Sequence, residues 1–457
     1  MQMSLKKRYH FIAIGGAVMH QLALHLHNMG HKVSGSDDAI YDPAKSNLEK
    51  HGILPTAFGW FPELITPDID AVILGMHAKA ENPELLRAQE LGIKIYSFPE
   101  FVYEASKGKK RVVVAGSHGK TTTTSMIMHV LRTMGIDFDY LVGAQIEGFD
   151  YVVRISESAK VIILEGDEYL TSPLDLKSKF LHYHPALAII TGVAWDHINV
   201  FPSFEGYVDT FRQFMKSVTD KIFFYEPDTV LNQLAKESMK AECIAYDSLP
   251  SVLEHEEVLV LMDGKRYPLQ IFGAHNMANV SAAMHICLEL GISKEQFFES
   301  MGTFSGAAKR MEQIAEDKAR KLTVFKDFAH APSKVTATVK AIRERYPDRK
   351  FIAALELHTF SSLQVDFITQ YNGSLQPCNS AAVYVDAEAL RQKDRAPIDP
   401  IWLKEQFGKP YPYTPASSAE LKQWILEQAE DNSVVLMMSS GHWGGMKPEE
   451  VAMQICS

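Results

Sequence analysis

The sequence predicts an α/β protein built on parallel sheets and divided into about three domains. Short apolar strands alternate with turns and segments of helical period along most of the chain. A length of 457 residues is too great for one ordinary hydrophobic core. With 46% hydrophobic, 22% charged and 10% aromatic residues, the composition is that of a folded chain and excludes disorder for most of it.

Taken in order, strands are expected at His10–Ile14, Lys32–Ser36, Ala71–Leu74 and Lys94–Ser97, with helices at Val18–Met29, Pro43–His51 and Pro83–Leu91. Lys6, Lys7 and Arg8 ahead of the apolar run Phe11–Met19 superficially look like an export signal. Gly15 and Gly16 break that run, and His20, Gln21, His25 and His27 follow it, so a strand, a glycine turn and a helix are the better reading. The polar run Ala105–Lys110 reads as a linker, with a boundary near residue 108. Beyond it come strands at Arg111–Ala115, Val161–Leu164 and Ala186–Thr191 and a helix over about Ser203–Val218. A third segment opens near Thr303, with strands at Leu322–Phe325, Phe351–Leu355, Ala381–Val385 and Val434–Met438. The expected domains are 1–108, 109–302 and 303–457.

Lys plus Arg number 46 against 56 Asp plus Glu, a net charge of −10, and no block of five basic residues occurs. No nucleic-acid partner is therefore expected, and an anionic substrate must be drawn by a local positive field. The cysteines, Cys243, Cys287, Cys378 and Cys456, stand far apart with no metal-binding spacing, as reduced thiols in a cytoplasmic protein do. No apolar run approaches the ~18 residues that cross a bilayer, so membrane insertion is not expected.

The sharpest local signal is the strand-to-helix passage Val112-Val-Val-Ala-Gly116-Ser117-His118-Gly119-Lys120-Thr121-Thr122-Thr123. Backbone N–H groups of such a loop surround phosphates, Lys120 adds charge, and the Thr121 hydroxyl is placed to ligate Mg²⁺. Val114 stands where the fullest form of this motif has a glycine. Glu165-Gly-Asp167-Glu168 supplies carboxylates at the end of a second strand, with Glu165 the favoured metal ligand beside Thr121. Further candidates are Asp196-His197, His275-Asn276 with Asn279 three residues on, Arg310 before Met311-Glu312, and Asp327-Phe-Ala-His330. The two asparagines share a helical face and offer amides to a base edge, while Arg310 is suited to a phosphate.

In this order the motifs G-S-H-G-K-T-T-T, E-G-D-E, D-H, G-x-H-N-x-x-N, R-M-E and D-F-A-H-x-P resemble the Mur ligases over almost the whole chain. The resemblance implies ATP-dependent amide-forming enzymes of peptidoglycan synthesis. It also implies a Rossmann-like N-terminal domain for a UDP-sugar, a central P-loop ATPase domain, and a Rossmann-like C-terminal domain closing over nucleotide and acceptor. By motif match Gly116, Ser117, His118, Gly119, Lys120, Thr121 and Thr122 take the ATP phosphates. Thr121 and Glu165 take one Mg²⁺ and His197 a second metal. His275, Asn276 and Asn279 fall near adenine, with Arg310, Asp327 and His330 also on ATP. Lys120, His197 and Arg310 are the implied catalytic set.

Gly15, Gly16, Ala17, Val18 and Met19, with Ser36 and Asp37, resemble the uridine-nucleotide loop of muramate-specific members. One branch of these joins L-alanine to UDP-N-acetylmuramate; the other attaches the murein tripeptide L-alanyl-γ-D-glutamyl-meso-diaminopimelate. Val18, Gly35–Pro43 and Lys177–Pro185 look like the peptide branch. Departures stand at Ala13, where a glycine is expected, and at Gly192 and Ala194, where the family has Asn and often Glu. Ser361 and Ser362 match the third-domain pattern loosely. The implied reaction forms an acyl phosphate on the muramyl carboxylate, which the amine then attacks. A small-molecule kinase and a nucleotide-sensing relative without acceptor chemistry are the rivals. The sequence assigns no oligomeric state.

Overall fold

The computed structural model describes residues 6–76, 78–172, 174–195, 200–237, 239–254, 257–306 and 311–457. The chain forms two compact units, Met1–Asp247 with Ala282–Phe297, and Ser248–Ser281 with Phe298–Ser457. Both carry parallel sheets flanked by helices, the α/β class that the alternation predicts.

The first unit opens with a parallel sheet in the spatial order Lys32–Ser36, Arg8–Ile12, Ala71–Leu74, Ile95–Ser97. Its first strand has successors on both sides, so a crevice opens beyond Ile12, where ligands of open α/β sheets collect. That strand starts and stops two residues before the expected His10–Ile14. Ala13 takes φ +65°, and the N–H groups of Ala13 and Ile14 both donate to Ser36 O, at 2.9 and 3.1 Å. The expected linker is also shorter, because Phe98–Ser106 is helical. Ser97 and Glu100 form a reciprocal capping box and Pro99 sits in the first turn, a helix start that the polar run after it obscured.

The second sheet of this unit has seven strands in the order Glu242–Tyr246, Lys221–Tyr225, Leu187–Ile190, Lys110–Ala115, Val161–Glu165, Asp139–Leu141, Val153–Arg154. All pairs are parallel except the last. Lys110–Ala115 is central and wholly buried from Val112 on, which explains its unbroken Val run. Its neighbours end beside it, with Ile190 opposite Ala115 and Glu165 opposite Val114. The helix Phe204–Ser217 buries Tyr207, Phe211, Phe214 and Met215, and Phe180 stacks on Phe214 at 4.5 Å.

The second unit contains an antiparallel sheet of Ser251–Glu254, Glu257–Met262 and Lys265–Leu269, which carried no strand expectation. Its larger sheet has the order Glu312–Asp317, Leu322–Asp327, Ser433–Met438, Lys350–Leu357, Ser380–Val385. Only its first pair is antiparallel. Among the described residues no helix is long and apolar enough to cross a membrane. The four cysteines are free, and burial pushes the thiols of Cys287 and Cys378 up.

Candidate active site

The central strand delivers Gly116–Gly119 into the helix Lys120–Thr133. Gly116 has φ +127°, and a Cβ there would stand 2.3 Å from Thr191 Oγ1 and 2.8 Å from Thr191 N. Only glycine lets the loop pass so close to the neighbouring strand end. Gly119, at φ +76°, caps the helix without a side-chain hydrogen bond, so the cap gives the first-turn N–H groups no acceptor. A phosphate oxygen fits that terminus, where the helix dipole favours an anion.

The flanking strands bring the side chains that face this loop. Lys120 Nζ donates to Gly116 O at 2.6 Å and to Glu168 Oε2 at 2.8 Å. Burial disfavours its ammonium, but Glu168, with Asp167 and Glu165 behind it, more than offsets this and holds the lysine above its ordinary pKa. Tyr207 OH donates to Glu168 Oε1 at 3.2 Å and lies 2.8 Å from Ser117 Oγ, which in turn accepts from Ala194 N at 2.8 Å. Ser117 N donates to Gly192 O at 2.9 Å, and Thr191 Oγ1 donates to His118 O. Thr122 is half-buried in the first helical turn.

Thr121 Oγ1 donates to Glu165 Oε1 at 2.8 Å, and Gly143 N donates to Glu165 Oε2 at 2.8 Å. Among the described residues no group of three or more His, Cys, Asp or Glu converges as a metal cage. Mg²⁺ asks for less, since it keeps waters and takes one or two protein oxygens with the substrate phosphates. The adjoining hydroxyl and carboxylate of Thr121 and Glu165 fit that need. Asp167 is engaged elsewhere, with Lys179 Nζ at 2.6 Å.

In the second unit, Gly273 has φ +90°, and a Cβ there would meet Ala341 Cβ at 2.6 Å, so the start of the helix Ala274–Glu289 packs hard on the helix Pro332–Arg345. Asn276 Nδ2 donates to Phe272 O at 2.8 Å, and Asn279 Nδ2 lies 3.5 Å from Asn276 Oδ1, so the expected shared face exists. Burial lowers the pKa of His275, with Asp327 partly opposing it. Asp327 closes the strand Leu322–Asp327 and accepts from Ala329 N at 2.7 Å and from Met311 N. His330 Nδ1 stands 2.8 Å from Phe328 O, and Tyr371 OH donates to the His330 carbonyl.

In the N-terminal loop, Gly15 N donates to Asp37 Oδ2 at 2.7 Å and Asp38 N to Asp37 Oδ1 at 2.9 Å. Burial pushes the Asp37 carboxyl up, against the pull of the Gly15 N–H. Gly16, Ala17 and Val18 lead into the helix Met19–Asn28, whose N-cap Val18 makes no side-chain bond. Ser36 Oγ is buried with no hydrogen-bond partner among the described residues, a polar atom left for a ligand. Ala13 takes φ +65° at this turn, a conformation that favours glycine.

His197, with Asp196, and Arg310 lie outside the described residues. Sequence reasoning missed Tyr207 and the Lys179–Asp167 pair, which give no local signal because their partners are distant in sequence. It also missed the loop after Ser433–Met438, although Gly441, Gly444 and Gly445 there were a legible one. Buried Glu356 accepts from Trp443 N at 3.0 Å and from Ser439 Oγ, folding that loop back onto the strand Lys350–Leu357.

Residues 8–110 match the Mur ligase family, catalytic domain, and residues 114–287 match the Mur ligase middle domain. A UDP-N-acetylmuramate–L-alanine ligase of Streptococcus suis (strain 05ZYH33) is 32% identical over 389 residues, covering 81% of this chain and 82% of that protein. Among solved structures, a murein peptide ligase from Psychrobacter arcticus 273-4 aligns with TM-score 0.65 at 22% identity over 99% of both chains. A UDP-N-acetylmuramate–alanine ligase from Thermotoga maritima aligns with TM-score 0.70 at 21% identity over 98% of both chains.

Proposed function

Because the chain belongs to the Mur ligase family, whose members are ATP-dependent carboxylate–amine ligases, we propose that it joins the carboxylate of UDP-N-acetylmuramate to the amine of L-alanyl-γ-D-glutamyl-meso-diaminopimelate in the cytoplasm. In this reading 1–108 holds the UDP-sugar, 109–302 the ATP phosphates, and 303–457 serves nucleotide and acceptor. The sugar nucleotide falls to Gly15, Gly16, Ala17, Val18, Met19, Ser36 and Asp37, where the helix N-terminus and the free Ser36 hydroxyl suit a diphosphate.

ATP supplies the phosphoryl group that activates the carboxylate. Gathering anions is the main physical demand, because carboxylate and triphosphate repel each other and in-line transfer spreads charge over the oxygens. Lys120 and the N–H groups after Gly119 meet that demand, with Arg310 assigned to it by motif. To reach a phosphate oxygen, Lys120 exchanges Glu168 for it, and Tyr207 continues to hold the released carboxylate. Thr121 and Glu165 would hold Mg²⁺, which neutralises phosphate charge. The peptide amine has an ordinary pKa of about 7.7 to 8.0 and needs no strong base near neutrality.

The observation that carries the peptide acceptor is Gly192. At φ +144°, with only Asp228 Oδ2, at 3.5 Å, near a hypothetical Cβ among the described residues, it leaves open the place where the motif resemblance puts Asn. Ala194 nearby is equally short, and its backbone is used to brace Ser117. The Streptococcus suis relative favours a second reading, free L-alanine as the amine. The deciding measurement is kcat/KM for L-alanine against the tripeptide, with UDP-N-acetylmuramate and Mg-ATP fixed. The tripeptide is expected to win, and an equal or better value for L-alanine assigns the chain to the alanine branch.

A further inference from the structure

The strands Lys350–Leu357, Ser380–Val385 and Ser433–Met438 run parallel and end together, with Leu355 opposite Met438 and Leu357 opposite Val385. Ligands of such sheets bind beyond these ends. A cavity of about 610 Å³ opens beside the first of the emerging loops, lined by Leu363, Asp366, Arg395, Pro397, Asp399 and Trp402.

Arg395 is the unusual member of this lining. Its backbone N–H donates to Leu390 O at 2.9 Å, which fixes the turn after the helix Ala387–Gln392. Its guanidinium lies over the ring of Phe360, 4.2 Å from the centroid. Nε is buried with no hydrogen-bond partner, and no described carboxylate or carbonyl accepts from the guanidinium. A permanently charged guanidinium placed over an aromatic ring, with its Nε unpaired among the described residues, suits an anion. His358 Nδ1 and Ser440 Oγ are also buried without hydrogen bonds; the nearest carboxylate to that imidazole, Glu356, is 3.9 Å away and taken by Trp443 and Ser439. The caps Asp386 and Asp399 are likewise spent on Glu388 N and Ile401 N.

We propose that Arg395 binds a carboxylate of the acceptor peptide beyond its first residue and so selects a peptide over free L-alanine. This rests on the peptide-acceptor reading above. The test compares kcat/KM for L-alanyl-γ-D-glutamyl-meso-diaminopimelate with that for the same peptide whose carboxylates are converted to amides. A charge-assisted pair predicts a wild-type preference for the acid form of about ten- to a hundredfold. Arg395→Gln should bring the ratio close to one, and Arg395→Lys should keep part of it. The ratio is read on one preparation, so it does not depend on the fraction of variant that folds. A wild-type ratio of one, or an Arg395→Gln ratio equal to the wild-type preference, overturns the subsite while leaving the tripeptide as substrate. Wild-type preference for free L-alanine overturns the peptide reading and the subsite with it.

Discussion

Lys120 spends its ammonium on Gly116 O and Glu168, and Glu168 is steadied in turn by Tyr207. Lys120→Ala should therefore remove a positive donor from the proposed phosphate site while leaving the proposed sugar-binding loop intact. Loss of one such donor typically lowers turnover about 10²- to 10³-fold. Rate assays paired with UDP-N-acetylmuramate binding check both halves, and near-normal turnover contradicts the assignment. Glu165→Gln keeps the shape of the side chain but removes the charge and one of the two oxygens that accept from Thr121 and Gly143. The expected result is a higher Mg²⁺ concentration for half-maximal activity. An unchanged magnesium titration moves the ligand role to Glu168 or Asp167.

At the scale of elements, the glycine loop Gly116–Gly119 is shaped by the ends of its two flanking strands. Gly116→Ala forces a Cβ into the Thr191 backbone at a φ that side chains rarely adopt. A cost of about 1–3 kcal/mol is expected, with a lower melting temperature and a raised KM for ATP. A variant that melts like the wild type shows that the Thr191 end can yield. The same view explains Gly192 and Ala194, whose backbones bond to Ser117. Their side chains are dispensable there, and at Gly192 the positive φ disfavours one.

At the scale of the whole molecule, burial lowers the pKa of seven histidines among the described residues: His20, His25, His31, His184, His275, His285 and His358. The unfolded chain takes up protons near pH 6.5 that the folded chain refuses, so stability from these groups is complete above that pH and falls below it. Melting temperature should drop as pH falls from about 7 toward 5.5, by the sign of this linkage. His20, with Nδ1 2.9 Å from Gly16 O and Nε2 2.9 Å from the Gln21 amide, is nearly fully buried. His20→Gln should flatten the slope; an equally steep acid limb in that variant removes His20 from the set.

Periodicity and glycine loops were enough to read the α/β class, the strands Lys32–Ser36 and Ala71–Leu74 to the residue, and the passage from a strand through Gly116–Gly119 into a helix, because each rests on neighbours in sequence. The helix Phe98–Ser106 was missed although its Ser97, Pro99 and Glu100 stood in plain view, since the polar run after it read as a linker. The placement of Lys110–Ala115 between Val161–Glu165 and Leu187–Ile190 belongs to sheet order alone. That order brings Glu168 to Lys120 across 48 residues and Tyr207 to Ser117 across 90. It also leaves Arg395 over the Phe360 ring with its Nε unpaired among the described residues. Local sequence sets φ, ψ and which face is apolar, whereas the pairing of charges, hydroxyls and cavities is settled by long-range packing, whose partners no window of sequence contains.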